Sequence, residues 1–205
     1  MIDVTREDGL WVITLNRPDK ANSLTEDMLA RVAEIATDAA AADLRAFVIT
    51  GAGNKVFSAG ADLQAAKAGL AVSPVWEQAS GAIAALPCLT IATLNGTLAG
   101  GAFGMALACD IRVAVPGATF FYPVAKLGFL PQPSDPGRLR DLVGPSRAKL
   151  LLMGAQKWTA EEAYAFGLVD RLVGVGTALD TARDIAGAAL DGKPEVLTRI
   201  KQMCG

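Results

Sequence analysis

Residues 89–115 read LTIATLNGTLAGGAFGMALACDIRVAV, and the order of patterns within them decides the fold. Leu89 to Leu94 is an apolar, β-branched run of the kind that fills a buried parallel strand. Asn95-Gly96 turns the chain. Gly100 to Ala108 is small and apolar throughout and reads as a buried helix, and Ile111 to Val115 reads as another buried strand. Strand, helix and strand in that spacing predict an α/β fold with parallel pairing.

The flanking sequence extends the alternation. Ala46 to Thr50 is a further buried-type strand. The loop Gly51-Ala52-Gly53-Asn54-Lys55 after it fits neither phosphate-binding glycine template, because position 56 is valine, so it reads as a plain turn. Met1 to Val4 and Leu10 to Leu15 form a β meander around Glu7-Asp8-Gly9. Ser23 to Ala42 reads as a helix with Thr25 as N-cap, Glu26 and Asp27 in its first turn, and Met28, Leu29, Val32 and Ile35 as its apolar stripe. A helix over Val75 to Leu86 precedes the quoted strand. Downstream, helices are expected at Arg147–Met153, Thr159–Phe166, Thr177–Leu190 and Pro194–Gly205, with a short strand at Arg171–Val173. No linker interrupts the chain, so residues 1–205 read as one domain.

Composition removes several kinds of chemistry. The 205 residues are 52% hydrophobic and 20% charged, with a net charge of -2. That balance lacks the basic footprint of a nucleic-acid binder. The longest apolar stretch, Leu98 to Cys109, is too short for a membrane span of ~20 residues, and the acidic N-terminus has no secretory h-region. There is no histidine, so Ser-His-Asp and Cys-His catalysis and most zinc sites are closed to a single chain. Cys88, Cys109 and Cys204 form no C-x-x-C pair. A reduced, cytoplasmic protein without a metal is expected, with Cys88 and Cys109 as small core residues. Chemistry must therefore come from carboxylates, tyrosine, lysine or backbone N–H groups.

Two small-residue loops are candidates. Gly100-Gly101 opening an apolar helix lowers helix propensity. Close packing of helix on strand explains it, and so does the access of a negative oxygen to bare N–H groups. Phe57-Ser58-Ala59-Gly60-Ala61-Asp62-Leu63 lets a ligand lie against backbone, or is a tight turn with Asp62 capping the next helix.

Taken together, these loops resemble the signature of the crotonase family, also called the enoyl-CoA hydratase/isomerase family. Leu15-Asn16-Arg17-Pro18 and Ala21-Asn22-Ser23-Leu24 resemble its opening segment, and residues 57–63 its first anion-hole loop. Asn95-Gly96 through Gly100-Gly101 to Cys109-Asp110-Ile111 resemble its second. Ala118-Thr119-Phe120, Pro123, Leu127-Gly128, Leu150 to Gly154, Ala160 to Ala163 and Gly167-Leu168-Val169 continue the match. The resemblance implies a crotonase-like spiral of ββα repeats (the ClpP/crotonase arrangement) with a helical C-terminal part. Family members usually continue beyond the position matching Gly205, so a shortened C-terminal part is expected.

The resemblance also implies an acyl-CoA thioester as substrate, with coenzyme A part of that substrate, no separate cofactor, and a place in fatty acid metabolism. The carbonyl would sit on the N–H groups of Ala61 and Gly101, which would stabilise an enolate or oxyanion. Ala21, Ser23, Ser58, Ala59, Asp62, Leu63, Gly100 and Pro123 would line the substrate path. The family's two hydratase glutamates fall on Gly104 and Val124, so two-carboxylate hydration does not carry over. Tyr122 and Asp135 are the nearby acid–base candidates; each also reads as structural, Tyr122 as an amphipathic core residue and Asp135 as a solvated turn residue in the proline-rich loop Leu130 to Gly137. A homotrimer or dimer of trimers is implied, with Leu150, Leu151, Met153 and Trp158 as apolar positions for a neighbour to cover. An isomerase, decarboxylase or thioester hydrolase, and a catalytically weak acyl-CoA-binding homologue, are the alternatives to a hydratase-type enzyme.

Overall fold

A computed structural model describes residues 1–204; Gly205, the end of the expected last helix, lies outside the described residues. Strands β1 (Ile2–Glu7) and β2 (Leu10–Leu15) pair as an antiparallel hairpin, with Gly9 at φ +72° in the turn. Helix α1 (Glu26–Ala41) is capped by Thr25, whose hydroxyl accepts from the Met28 N–H at 3.3 Å. It starts three residues later than expected because Leu24 is drawn into an extended pairing, its N–H donating to Gly60 O at 2.8 Å.

The chain then repeats one unit three times: a strand of a large sheet, a three-residue strand of a small sheet, and helix. The first turn is β3 (Ala46–Gly51), β4 (Val56–Ser58), α2 (Leu63–Lys67) and α3 (Val75–Ala84). The second is β5 (Leu89–Leu94), β6 (Thr97–Ala99) and α4 (Phe103–Ala108). The third is β7 (Ile111–Ala114), β8 (Thr119–Phe121) and α5 (Val124–Leu127). Helices α6 (Asp135–Val143) and α7 (Pro145–Leu152), β9 (Lys157–Thr159), α8 (Ala160–Phe166), β10 (Arg171–Leu172), α9 (Ala178–Leu190) and α10 (Pro194–Cys204) complete it.

The large sheet has the order β1-β2-β3-β5-β7-β10, parallel from β2 onward, and the small one the order β4-β6-β8-β9. This is the expected spiral of ββα turns. Every residue of β3 is buried, as its unalternating sequence requires when both faces of a parallel sheet are covered. Cys88 and Cys109 are buried as expected, and burial pushes their thiols up to about 11 and about 12, so neither is a ready nucleophile. No helix among the described residues is long and apolar enough to cross a membrane.

Three expectations need correction. The residue pattern did not place the short second strand of each turn, β4, β6 and β8, because three residues are too few for periodicity to register. The loop Leu130 to Gly137 is a loop only to Ser134. Asp135 and Pro136 open α6, where a first-turn proline gives up an N–H that has no helical acceptor anyway. Of the four apolar positions offered to a neighbour, Leu150 and Met153 are exposed, but Leu151 and Trp158 lie in the core. Leu150 and Leu151 are successive helical residues, so they point about 100° apart and only one can face out.

Candidate active site

Between the ends of β4, β6 and β8 lies a cleft of about 200 Å³. Ala59, Ala61, Gly100 and Gly101 form one wall; Tyr122, Pro123 and Val124 form another; Leu63, Trp76, Phe129 and Leu130 surround them. The two glycine loops meet here because glycine permits it. Gly60 (φ +87°) presses on Ala99 O, which a Cβ would meet at 2.9 Å, and Gly100 (φ +57°) lies against Gly60 in turn. A side chain at Gly60 would force the loops apart.

Two residues of these loops that line the cleft, Ala61 and Gly101, carry backbone N–H groups with no acceptor among the described residues. The Gly60 N–H is taken by Ser58 Oγ at 3.2 Å and the Asp62 N–H by Leu24 O at 2.8 Å. The Ala61 N–H between them has no acceptor among the described residues. Gly101 is the second residue of a single 3₁₀ turn, Gly100–Ala102, where a helical N–H lacks an acceptor within the turn. Behind it stands Trp76, whose ring a Gly101 Cβ would meet at 3.1 Å and whose Nε1 is fixed on Leu70 O at 2.8 Å.

The other wall carries a buried pair. The Tyr122 hydroxyl donates to Asp135 Oδ2 at 2.8 Å and accepts from the Gln132 N–H at 3.4 Å. Tyr122 stacks on Phe103 with ring centres 5.4 Å apart. Asp135 is 1% exposed, so it is no solvated turn residue. Its second oxygen, Oδ1, has no partner. It lies 3.0 Å from where a Gly104 Cβ would stand, so the missing side chain at 104 makes the room the carboxyl occupies. Burial drives the Asp135 carboxyl up to about 7; the Tyr122 hydrogen bond and Arg138 oppose that shift, and Glu77 reinforces it. Burial and the neighbouring Asp135 also raise Tyr122, which stays protonated across the neutral range.

The expected residues separate into two groups. Ala59, Ala61, Leu63, Gly100, Gly101, Tyr122 and Pro123 border the cleft, and Asp135 lies behind Tyr122. Ala21, Ser23, Ser58 and Asp62 brace the first loop from outside it. Ser58 has no exposed surface, which corrects its expected place on a ligand path; its hydroxyl donates to Asn22 O at 2.8 Å. Ser23 is buried beside Arg17. The Ala21 carbonyl accepts from the Ala59 N–H at 3.0 Å. Asp62 caps α2 through the N–H groups of Gln64 and Ala65 and pairs with Arg17 at 2.9 Å. These contacts, with the Arg17 guanidinium, hold its carboxyl below the usual range. Sequence reading missed Trp76 and Phe129. A tryptophan in an apolar helix stripe looks like core, and only the packing against Gly101 marks it as part of the cleft.

Comparison with known proteins identifies the family. The sequence profile of the family described as enoyl-CoA hydratase/isomerase matches residues 5–204. Carnitinyl-CoA dehydratase of Salmonella enteritidis PT4 is 34% identical over 209 aligned positions, covering 98% of this chain and 79% of that protein. The structure of Pseudomonas aeruginosa DspI superposes with a TM-score of 0.92 at 32% identity, covering 99% of this chain and 85% of the other. The enoyl-CoA hydratase of Bacillus anthracis superposes with a TM-score of 0.91 at 32% identity, covering 98% and 81%. Matched along nearly its whole length by profile, by relatives and by fold, the chain belongs to the enoyl-CoA hydratase/isomerase family.

Proposed function

We propose that the cleft binds the thioester end of an acyl-CoA, seats the carbonyl oxygen on the N–H groups of Ala61 and Gly101, and moves a proton at the acyl chain through Tyr122 and Asp135. The observation that carries this reading is the juxtaposition of two backbone donors on one wall with a buried hydroxyl–carboxyl pair on the other. Donors fixed by the fold need no reorganisation as negative charge develops on the oxygen. The proton leaves the carbon next to the carbonyl for the Tyr122 oxygen while the Tyr122 proton passes to Asp135 Oδ2. The resulting enolate is held by Ala61 and Gly101, and return of the proton to another carbon of a β,γ-unsaturated chain gives the conjugated isomer. Charge and atoms balance, and the tyrosine never carries a free charge.

This is one acid–base unit, whereas adding water across a double bond in this family's manner uses two carboxylates. Positions 104 and 124 hold glycine and valine. Hydration of crotonyl-CoA is therefore expected at or near background, since a positioned acid or base contributes ~10²–10⁴-fold. Relatives named carnitinyl-CoA dehydratase suggest a lyase reaction instead. The site supports a proton shift better, because the described cleft wall carries no carboxylate beyond the one behind Tyr122.

The deciding experiment is mass spectrometry of acyl-CoA thioesters incubated with the protein in D₂O. Deuterium gain next to the carbonyl, with isomerisation of 3-enoyl-CoA and no gain of water mass, supports the reading. Thioester binding without exchange identifies a binding homologue and overturns the catalytic assignment. The same reading carries the expectation of a trimer or dimer of trimers, with exposed Leu150 and Met153 at the contact; sedimentation as a 21.2 kDa monomer would overturn it.

A further inference from the structure

Helix α3 backs both walls of the cleft, and its contact with the acid–base wall has no place in the reaction written above. Trp76 stands against Gly101, as described. The next residue, Glu77, turns toward α6: its carboxylate accepts from the Ser134 N–H at 3.0 Å and from the Ser134 hydroxyl at 2.7 Å. Ser134 is the N-cap residue of α6 and makes no side-chain cap of its own, so the helix start is held from outside. Asp135 is the first residue of that helix. Two charge-assisted hydrogen bonds on the residue before it fix where its carboxyl sits.

We propose that Glu77 is the positioning residue of the Tyr122–Asp135 pair, clamping the first turn of α6 so that the Asp135 carboxyl stays on the Tyr122 hydroxyl, and placing a negative charge behind it. This rests on the acid–base role given to that pair. The groups facing Asp135 are few. Tyr122 reaches it from the end of β8, Arg138 from α6 itself and Glu77 from α3. Gly104 approaches from α4, with Ser80 of α3 beside it, and neither titrates. Among them Glu77 is the one anion, and it touches neither the cleft nor Tyr122.

Because Asp135 must be ionised to receive the Tyr122 proton, the exchange rate falls on the acid side. A nearby anion makes that ionisation harder and moves the fall to higher pH. Glu77→Gln keeps an acceptor for the Ser134 N–H and removes the charge, so the acid limb of the exchange profile is expected to move down by roughly half to one pH unit. Ser134→Ala keeps the charge and removes one hydrogen bond, so kcat should fall several-fold with KM unchanged and the acid limb in place. The test is α-proton exchange of one acyl-CoA followed from pH 5 to 9 in the wild type and both variants. A Glu77→Gln profile that superposes on the wild type overturns the charge role, and an unchanged kcat in Ser134→Ala overturns the clamp. If Glu77→Gln does not fold, Glu77→Asp, which keeps the charge but shortens its reach, must lower kcat without moving the limb. Absence of exchange in the wild type is a different result, which overturns the acid–base role itself.

Discussion

The wall that carries Ala61 and Gly101 and the wall that carries Tyr122 are made from different parts of the polypeptide. The first is backbone. Its groups come from strand ends of successive spiral turns, Gly60 and Gly100 permit the contact, and Asn22, Ser58 and Arg17 brace it. Asn22, at φ +51°, donates to Ala52 O and Val56 O and accepts from the Arg17 N–H. The second wall is side chain. Its hydroxyl and carboxyl lie thirteen residues apart on different elements and meet only because α6 is held in place. A backbone wall can keep its chemistry while sequence changes around it. A side-chain wall changes with single residues: Val124 lines this one, and Gly104 leaves room for the Asp135 carboxyl behind it.

Three substitutions or conditions test that division. The largest effect is expected for Asp135→Asn, which keeps shape and an acceptor for Tyr122 but cannot take a proton: α-proton exchange should fall by ~10²–10⁴-fold with thioester Kd unchanged. A Kd that weakens in parallel would place Asp135 in binding and erase the distinction between the walls. Next comes Gly101→Val, which brings bulk against the Trp76 ring and into the cleft. Acyl-CoA affinity by calorimetry should drop by at least ~100-fold, with circular dichroism reporting a retained fold. Unchanged affinity would remove Gly101 from the oxygen site. The smallest effect is on stability. The folded Asp135 carboxyl holds its proton up to about 7, whereas an unfolded aspartate releases it near ~3.9. Its favourable contribution is thus complete below about pH 4 and is lost as pH rises through about 7. Asp135→Asn should be more stable than the wild type by roughly 1–3 kcal/mol at pH 8 and not at pH 4, read from urea unfolding at both. Equal stability at pH 8 would mean that the buried carboxyl is solvated in some way the hydrogen bonds do not display.

Much of the fold was legible because its signals are continuous. The strands at Ala46, Leu89 and Ile111 are apolar, β-branched runs, and Thr25 was legible as the N-cap of α1 although the helix was expected to begin at Ser23. The small sheet was not legible, since Val56–Ser58, Thr97–Ala99 and Thr119–Phe121 are too short to set a period. At the site, the glycine loops stood out because paired glycines in a helix start ask for a reason. Tyr122 and Asp135 could be suspected one at a time, but not joined, because nothing local encodes a contact across a loop and a helix start. The clamp from Glu77 was invisible for the same reason: an acidic residue early in a helix reads as a favourable partner of the dipole. The helical phase of Leu150 and Leu151 was misjudged because apolarity alone does not say which neighbour turns inward.

The pairing of β4 with β6 has a consequence for what the cleft can hold. Neighbouring parallel strands lie ~4.8 Å apart, and that distance belongs to the hydrogen-bonded ladder rather than to any side chain. Donors carried at such a spacing, each ~2.9 Å from a shared oxygen, converge on it at an angle of about 110°, close to the spread of the two lone pairs on a carbonyl oxygen. The ladder then acts as a ruler. On the proposed reading it sets the spacing of the Ala61 and Gly101 N–H groups, which follow β4 and β6 by three and two residues, for a single shared oxygen. Substitution of cleft side chains leaves that spacing in place, because it changes only if the strands part.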